Sequence, residues 1–231
     1  MTATGLIGEG WEIYRRFWRH LVPIAFAVFL VVSVIELGLV AALGAAGAFL
    51  GSLVSLVGLF LLQATLVEAV ADVRDGRVDL TAGQTLSLGW SRLGAAISVG
   101  VLAAVAIFVG LVLIIVPGLY LLTIWCLVIP VAVLERVGTF EAFGRSRALV
   151  AGHGWTVFGA LVLIFLLDIA VGIVLSIVLH GVSSDIRSFI SNLVTNTVFA
   201  PFIAATLTSM YFRLRGTDAA PAPAGAAFRE E

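Results

Sequence analysis

The chain has 231 residues, 61% of them hydrophobic and only 12% charged, with a formal net charge of −1; its mean hydropathy is +1.16. That leaves too little polar surface to coat a water-soluble globule of this size, which argues against a soluble enzyme or a nucleic-acid-binding domain and points to a polytopic membrane protein. The thirteen basic side chains are all arginines, gathered in patches between long apolar runs.

The chain opens on a charged amphipathic segment, Leu6 to Leu21. Here Ile7, Trp11, Tyr14, Trp18 and Leu21 recur at steps of three and four, while Glu9, Glu12, Arg16 and Arg19 take the opposite side. That pattern predicts a helix lying on the membrane surface, with Glu12 and Arg16 spaced to pair along its polar face. Two apolar runs follow, Leu21 to Ala46 and Gly51 to Val73, joined by a tight uncharged connection from Gly44 to Ser52. Each is long enough to cross hydrocarbon, which takes about twenty apolar residues.

Thr81 is the expected N-cap of a second surface helix with Leu86, Trp90 and Leu93 on one side. The third and fourth spans read as Leu93 to Val116 and Gly118 to Leu134, turning at Val116-Pro117-Gly118, and Pro130 predicts a kink whose freed carbonyl neighbouring helices would satisfy. A third surface helix begins at Thr139, with Phe140, Phe143 and Leu149 apolar and Glu141, Arg145 and Arg147 polar. Trp155 to Leu179 and Ile186 to Phe212 complete the set.

The fold class expected is therefore all-α, a polytopic helical bundle of six transmembrane helices with amphipathic interfacial helices. Residues 1–215 form one membrane domain. Residues 216–231, rich in Ala and Pro and ending acidic, form a disordered cytoplasmic tail. The order of surface helix, outward span, tight turn and return span occurs three times at a period of roughly seventy residues, the signature of a threefold repeat.

Arg15, Arg16, Arg19, Arg74, Arg77, Arg92, Arg136, Arg145, Arg147, Arg213 and Arg215 all flank helix ends that share one side of this layout; Arg187 alone breaks the pattern. The excess of positive charge in short cytoplasmic loops then places both termini in the cytoplasm and the protein in the cell membrane.

Ionisable groups inside the spans are the first place to seek chemistry, because burying one in hydrocarbon is costly. Glu36, Glu68 and Asp168 qualify, with Glu68 nearer the cytoplasmic surface. Glu36 and Asp168 could converge with Gln63, Asn192 and Asn196 on a polar intramembrane patch, either a site for a polar solute, proton or lipid headgroup, or a set of hydrogen bonds gluing helices together. Cys126, the single cysteine, reads as a small core residue, and His20, His153 and His180 lie at membrane borders without metal-ligand spacing. No nucleophile elbow or phosphate-binding glycine loop is present.

One stretch is more distinctive than its composition: PGLYLLTIWCLVIPVAVLERVGTFEAFGRSRALVAGHGWTVFG, Pro117 to Gly159. Its Pro117-Gly118 turn, the Trp125 to Pro130 run, Glu135 at the helix end, the Ala142 to Leu149 helix with Arg145, Ser146 and Arg147, and the Trp155 to Gly159 start of the next span resemble a group of prokaryotic membrane proteins. These are the glycerophosphoryl diester phosphodiesterase membrane domain and related domains of unknown function. The resemblance implies a six-span membrane domain. Members with the enzymatic name also carry a soluble catalytic barrel with metal-binding acids; this chain has no segment for one, so the activity does not transfer.

Glu135 is expected to pair with Arg145 or Arg147 across the corner after the fourth span, fixing the third surface helix to the bundle. The function expected is that of a membrane scaffold or accessory, without a catalytic centre, cofactor or metal. It would contact membrane lipids, a protein partner or a second copy of itself through its basic surface helices. The alternative is a transporter or lipid-handling protein using the polar patch.

Overall fold

A computed structural model describes residues 2–74, 76–181 and 183–218. Among them every regular element is helical: α1 Ala3–Leu43, α2 Ala45–Val73, α3 Ala82–Leu113, α4 Ile115–Trp125, α5 Val128–Leu134, α6 Thr139–Val150, α7 Gly154–Val178, α8 Ser184–Val194, a π-helical turn Thr195–Phe199, and α9 Ala200–Asp218. Six stretches are long and apolar enough to cross a membrane, Ala3–Leu43, Ala45–Val73, Ala82–Leu113, Ile115–Leu134, Gly154–Val178 and Ile190–Gly216. The protein is an all-helical, multi-pass membrane bundle.

The tight turns have simple causes. Gly44 alone separates α1 from α2, at φ 56°, a conformation open to glycine at little cost. Ile114 adopts an extended conformation between α3 and α4, and Pro117 falls in the first turn of α4, where its missing N–H is not needed. At the other end, Thr81 caps α3 reciprocally: its hydroxyl accepts from Gln84 N at 3.4 Å while its own N–H donates to Gln84 Oε1 at 2.9 Å.

The first two amphipathic segments are not detached surface helices. The arm formed by the first residues of α1 continues into the span with only Phe17 leaving helical geometry, at φ −116° and ψ 15°, and α3 runs unbroken from Ala82 to Leu113. Protein, not lipid, covers much of their inner faces. Leu6 is fully buried in a cluster with Leu149, Val157, Met210, Tyr211 and Leu214, and Ile7 and Tyr14 pack on Ile164, Phe199 and Phe202. In α3, Thr85 and Gly89 are buried while Trp90 points outward. Only α6 stands as a separate helix, seated by a T-shaped contact of Phe143 on Trp125 with ring centroids 4.8 Å apart.

Where the sequence predicts a kink at Pro130, the fourth span breaks instead, and does so upstream of the proline. Proline clashes with the carbonyl four residues earlier, that of Cys126, and α4 ends at Trp125 with α5 resuming at Val128. A neighbouring helix serves the break: the buried Ser146 hydroxyl of α6 donates to the Ile124 carbonyl at 2.8 Å. The last span is interrupted too. Pro201 lacks an N–H, and the turn ahead of it widens so that Ala200 N–H reaches back five residues to Thr195 O. α9 extends to Asp218, so residues 216–218 of the expected tail are helical; residues 219–231, the rest of that expectation, lie outside the described residues.

The arm crosses α9 at Gly10. A Cβ built there would lie 2.6 Å from Thr206 Cα, so backbone would have to move, whereas nothing lies within 4 Å of one at Gly94. Gly10→Ala is expected to destabilise the detergent-solubilised protein by about 1–3 kcal/mol. Gly94→Ala should be neutral or stabilising by up to about 1 kcal/mol, from helix propensity alone. Thermal unfolding followed by circular dichroism checks the opposite signs.

Candidate functional site

Two polar constellations stand out, one inside the apolar zone and one at the arginine-rich end. The first is built on Glu36, which α1 carries seven residues before its last, Leu43. Facing it, Ser55 of α2 donates its hydroxyl to Glu36 Oε2 at 2.8 Å. The pair opens into a cleft of about 820 Å³ whose lining adds Ser33, Asn192 and Asn196 to apolar residues such as Val34, Leu37 and Leu59. Asn192 belongs to α8 and Asn196 to the π turn, where Asn196 Nδ2 donates to the Asn192 carbonyl at 2.9 Å.

Of the five residues expected to converge, the structure brings Glu36, Asn192 and Asn196 to one cleft and leaves Gln63 and Asp168 off it. Gln63 follows Leu62, which does line the cleft, and one residue along a helix turns a side chain by about 100°. Asp168 sits on α7, which packs on α1, α4 and α8 and is the least buried of the six spans. Ser55 and Ser33 are additions that the sequence did not single out, since a hydroxyl in an apolar helix usually bonds its own preceding turn.

The second constellation ties the charged segments into one end of the bundle. Arg145 Nε of α6 sits 3.1 Å from Glu135 Oε2 and 3.3 Å from Oε1 at the foot of α5. Tyr211 of α9 donates to Glu135 Oε1 at 2.9 Å and accepts from Arg215 at 3.1 Å. Of the corner residues Glu135, Arg145 and Arg147, then, the first two pair, while Arg147 is exposed on the outer side of α6. Tyr211, buried and central to this corner, was not legible in the sequence, where it reads as one more aromatic in an apolar run.

Other contacts close the same end. Arg213 reaches Glu9 of the arm at 3.1 Å, the Arg74 guanidinium lies 4.2 Å from the centre of the Phe212 ring, and Arg92 Nε approaches Glu68 Oε1 at 4.0 Å. Between the arm and the connection after α2 lies a polar cleft of about 860 Å³, lined by Glu9, Glu12, Arg16, Asp72, Arg74 and Arg77 among others. Acids and arginines alternate there, so it presents no single sign of charge. Among the described residues no group of three or more His, Cys, Asp or Glu side chains is placed to share a metal ion.

Comparison with protein families, characterised proteins and solved structures finds no match for this chain.

The corner makes a quantitative demand. In a double-mutant cycle, Glu135→Gln and Arg145→Gln should be non-additive, with a coupling of about 0.5–3 kcal/mol, as residues sharing one network are. Arg147→Gln should change stability by no more than about 0.5 kcal/mol. Thermal melts of the variants in one detergent measure all three values.

Proposed function

We propose that the protein is a scaffold or accessory of the cell membrane, without a catalytic centre of its own, that contacts anionic lipid or a protein partner through its arginine-rich end. On this reading that end and both termini face the cytoplasm. The observation that carries it is the company the arginines keep. Arg15, Arg16, Arg19, Arg147, Arg213 and Arg215 are exposed at the end that also exposes Trp11, Trp18, Trp90 and Trp155, the last 88% accessible. Indole rings favour headgroup depth, and guanidinium groups beside them meet phosphate there with bidentate geometry.

The stretch that resembles the phosphodiesterase membrane domain fits this reading. Glu135 and Arg145 fall within it, bonded to each other and to Tyr211, an arrangement that locks α5, α6 and α9 together. A second reading, a transporter or lipid-handling protein, draws on the cleft where Glu36 meets Asn192 and Asn196.

The test of the first reading is lipid selectivity. Protein extracted in native nanodiscs from membranes of mixed lipid should retain anionic phospholipid in excess over zwitterionic, as read by lipid mass spectrometry. Replacing Arg15, Arg16 and Arg19 together by Gln should reduce that excess several-fold. A retained lipid composition equal to the bulk membrane would argue against lipid contact at this end.

A further inference from the structure

The geometry points to the Glu36 cleft as a binding site for a single-chain amphiphile with a protonated amine headgroup, drawn from the leaflet opposite the arginine-rich end. This inference rests on the second reading above and gives it a ligand class.

Depth comes first. Leu43, the last residue of α1, lies seven positions after Glu36, which at 1.5 Å per residue sets the carboxylate about 10 Å below the end of the bundle opposite the arginine-rich one. The cleft walls are aliphatic and face outward: Val34 and Leu37 are 61% and 71% accessible. An acyl chain can therefore lie against α1 while its polar end reaches the cleft floor.

Chemistry selects the headgroup. Among the described residues the one hydrogen-bond donor to Glu36 is the Ser55 hydroxyl, on Oε2, which leaves Oε1 and further lone pairs of a carboxyl group to be served. A carboxylate facing an apolar cleft with one neutral donor is expensive, and the cost falls when a cation with several N–H groups arrives. Asn196 has one amide N–H on the Asn192 carbonyl, and its Oδ1 remains an acceptor beside the second N–H. Among the described residues no arginine or histidine lines the cleft. With Glu36 the one charged side chain among the described residues that line the cleft, the floor matches an ammonium group, which is all donors, and repels carboxylate or phosphate heads. A free inorganic cation would satisfy the acceptors but leave the aliphatic walls without a role.

The experiment uses the full chain in nanodiscs and two photoactivatable probes of equal length, a diazirine-bearing dodecylammonium and the corresponding dodecanoate, with cross-links mapped by peptide mass spectrometry. The amine should label residues of α1 between Val28 and Val40 and of α2 between Ser55 and Leu62, and the dodecanoate should label them far less. Glu36→Gln, which can still accept the Ser55 bond, should reduce amine labelling about tenfold, the loss of one charge-assisted contact. Asn196→Leu should also reduce it, and Asp168→Asn should leave it unchanged. Equal labelling by the two probes, or labelling insensitive to Glu36→Gln, overturns the amine assignment while leaving a lipid-binding cleft. Absence of labelling by either probe overturns the lipid-handling reading itself.

Discussion

Hydrocarbon supplies no hydrogen-bond partners, so every backbone N–H and C=O that crosses it must be satisfied within the protein. That constraint explains why the described residues form helices and why bonds from elsewhere appear at interruptions inside the apolar zone. Pro130 ends α4 early, and the Ser146 hydroxyl from another helix takes the Ile124 carbonyl. Pro201 removes an N–H from the last span, and a five-residue π turn reaches past the defect. The connections at Gly44, at Ile114 and after Val178 carry no acid or arginine, whereas the arm, the connection after α2, the stretch from Glu135 to Arg147 and the end of α9 hold most of the charged residues.

Concentrating charge at one end creates a second requirement, because arginines and carboxylates there must be held without dragging water into the bundle. The structure meets it by knitting chain segments far apart in sequence. The arm meets α9 through Glu9 and Arg213, α2 meets it through Arg74 and Phe212, and α5, α6 and α9 meet on Glu135. The fully buried Leu6, Leu149, Tyr211 and Leu214 lie beneath this layer. The best-packed part of the protein is thus the charged end. The opposite half, where Leu37, Val112, Leu113, Ile115, Val116 and Ile177 stand exposed, is open to lipid.

Run length and hydropathy made the spans legible in the sequence, and local capping rules located Thr81 as the start of α3. Spacing put Glu135 within reach of Arg145 or Arg147 across the corner, and the structure selects Arg145. What stayed hidden depends on neighbours. Periodicity marks Ile7 and Tyr14 as apolar-facing but does not say that Ile164 and Phe202 cover them, so a packed arm looked like a helix lying on lipid. Likewise Glu36 and Asp168 share a depth and a chemistry, yet α7 meets α1 through the arm, where Ile7 and Tyr14 pack on Ile164, and Asp168 does not line the cleft. The π turn that carries Asn196 into that cleft follows from Pro201, but its direction could be read only once the helix existed.

The account stands or falls on the arginine-rich end being a single membrane face. With Cys126 replaced by Ala, single cysteines placed at Thr4, Arg147 and Arg215 should resist a membrane-impermeant maleimide in intact cells and react once the membrane is opened. A cysteine at Gly181 should react in intact cells. Labelling of Arg147 and Arg215 from opposite sides, or of Gly181 and Arg147 from the same side, would contradict the six-span arrangement.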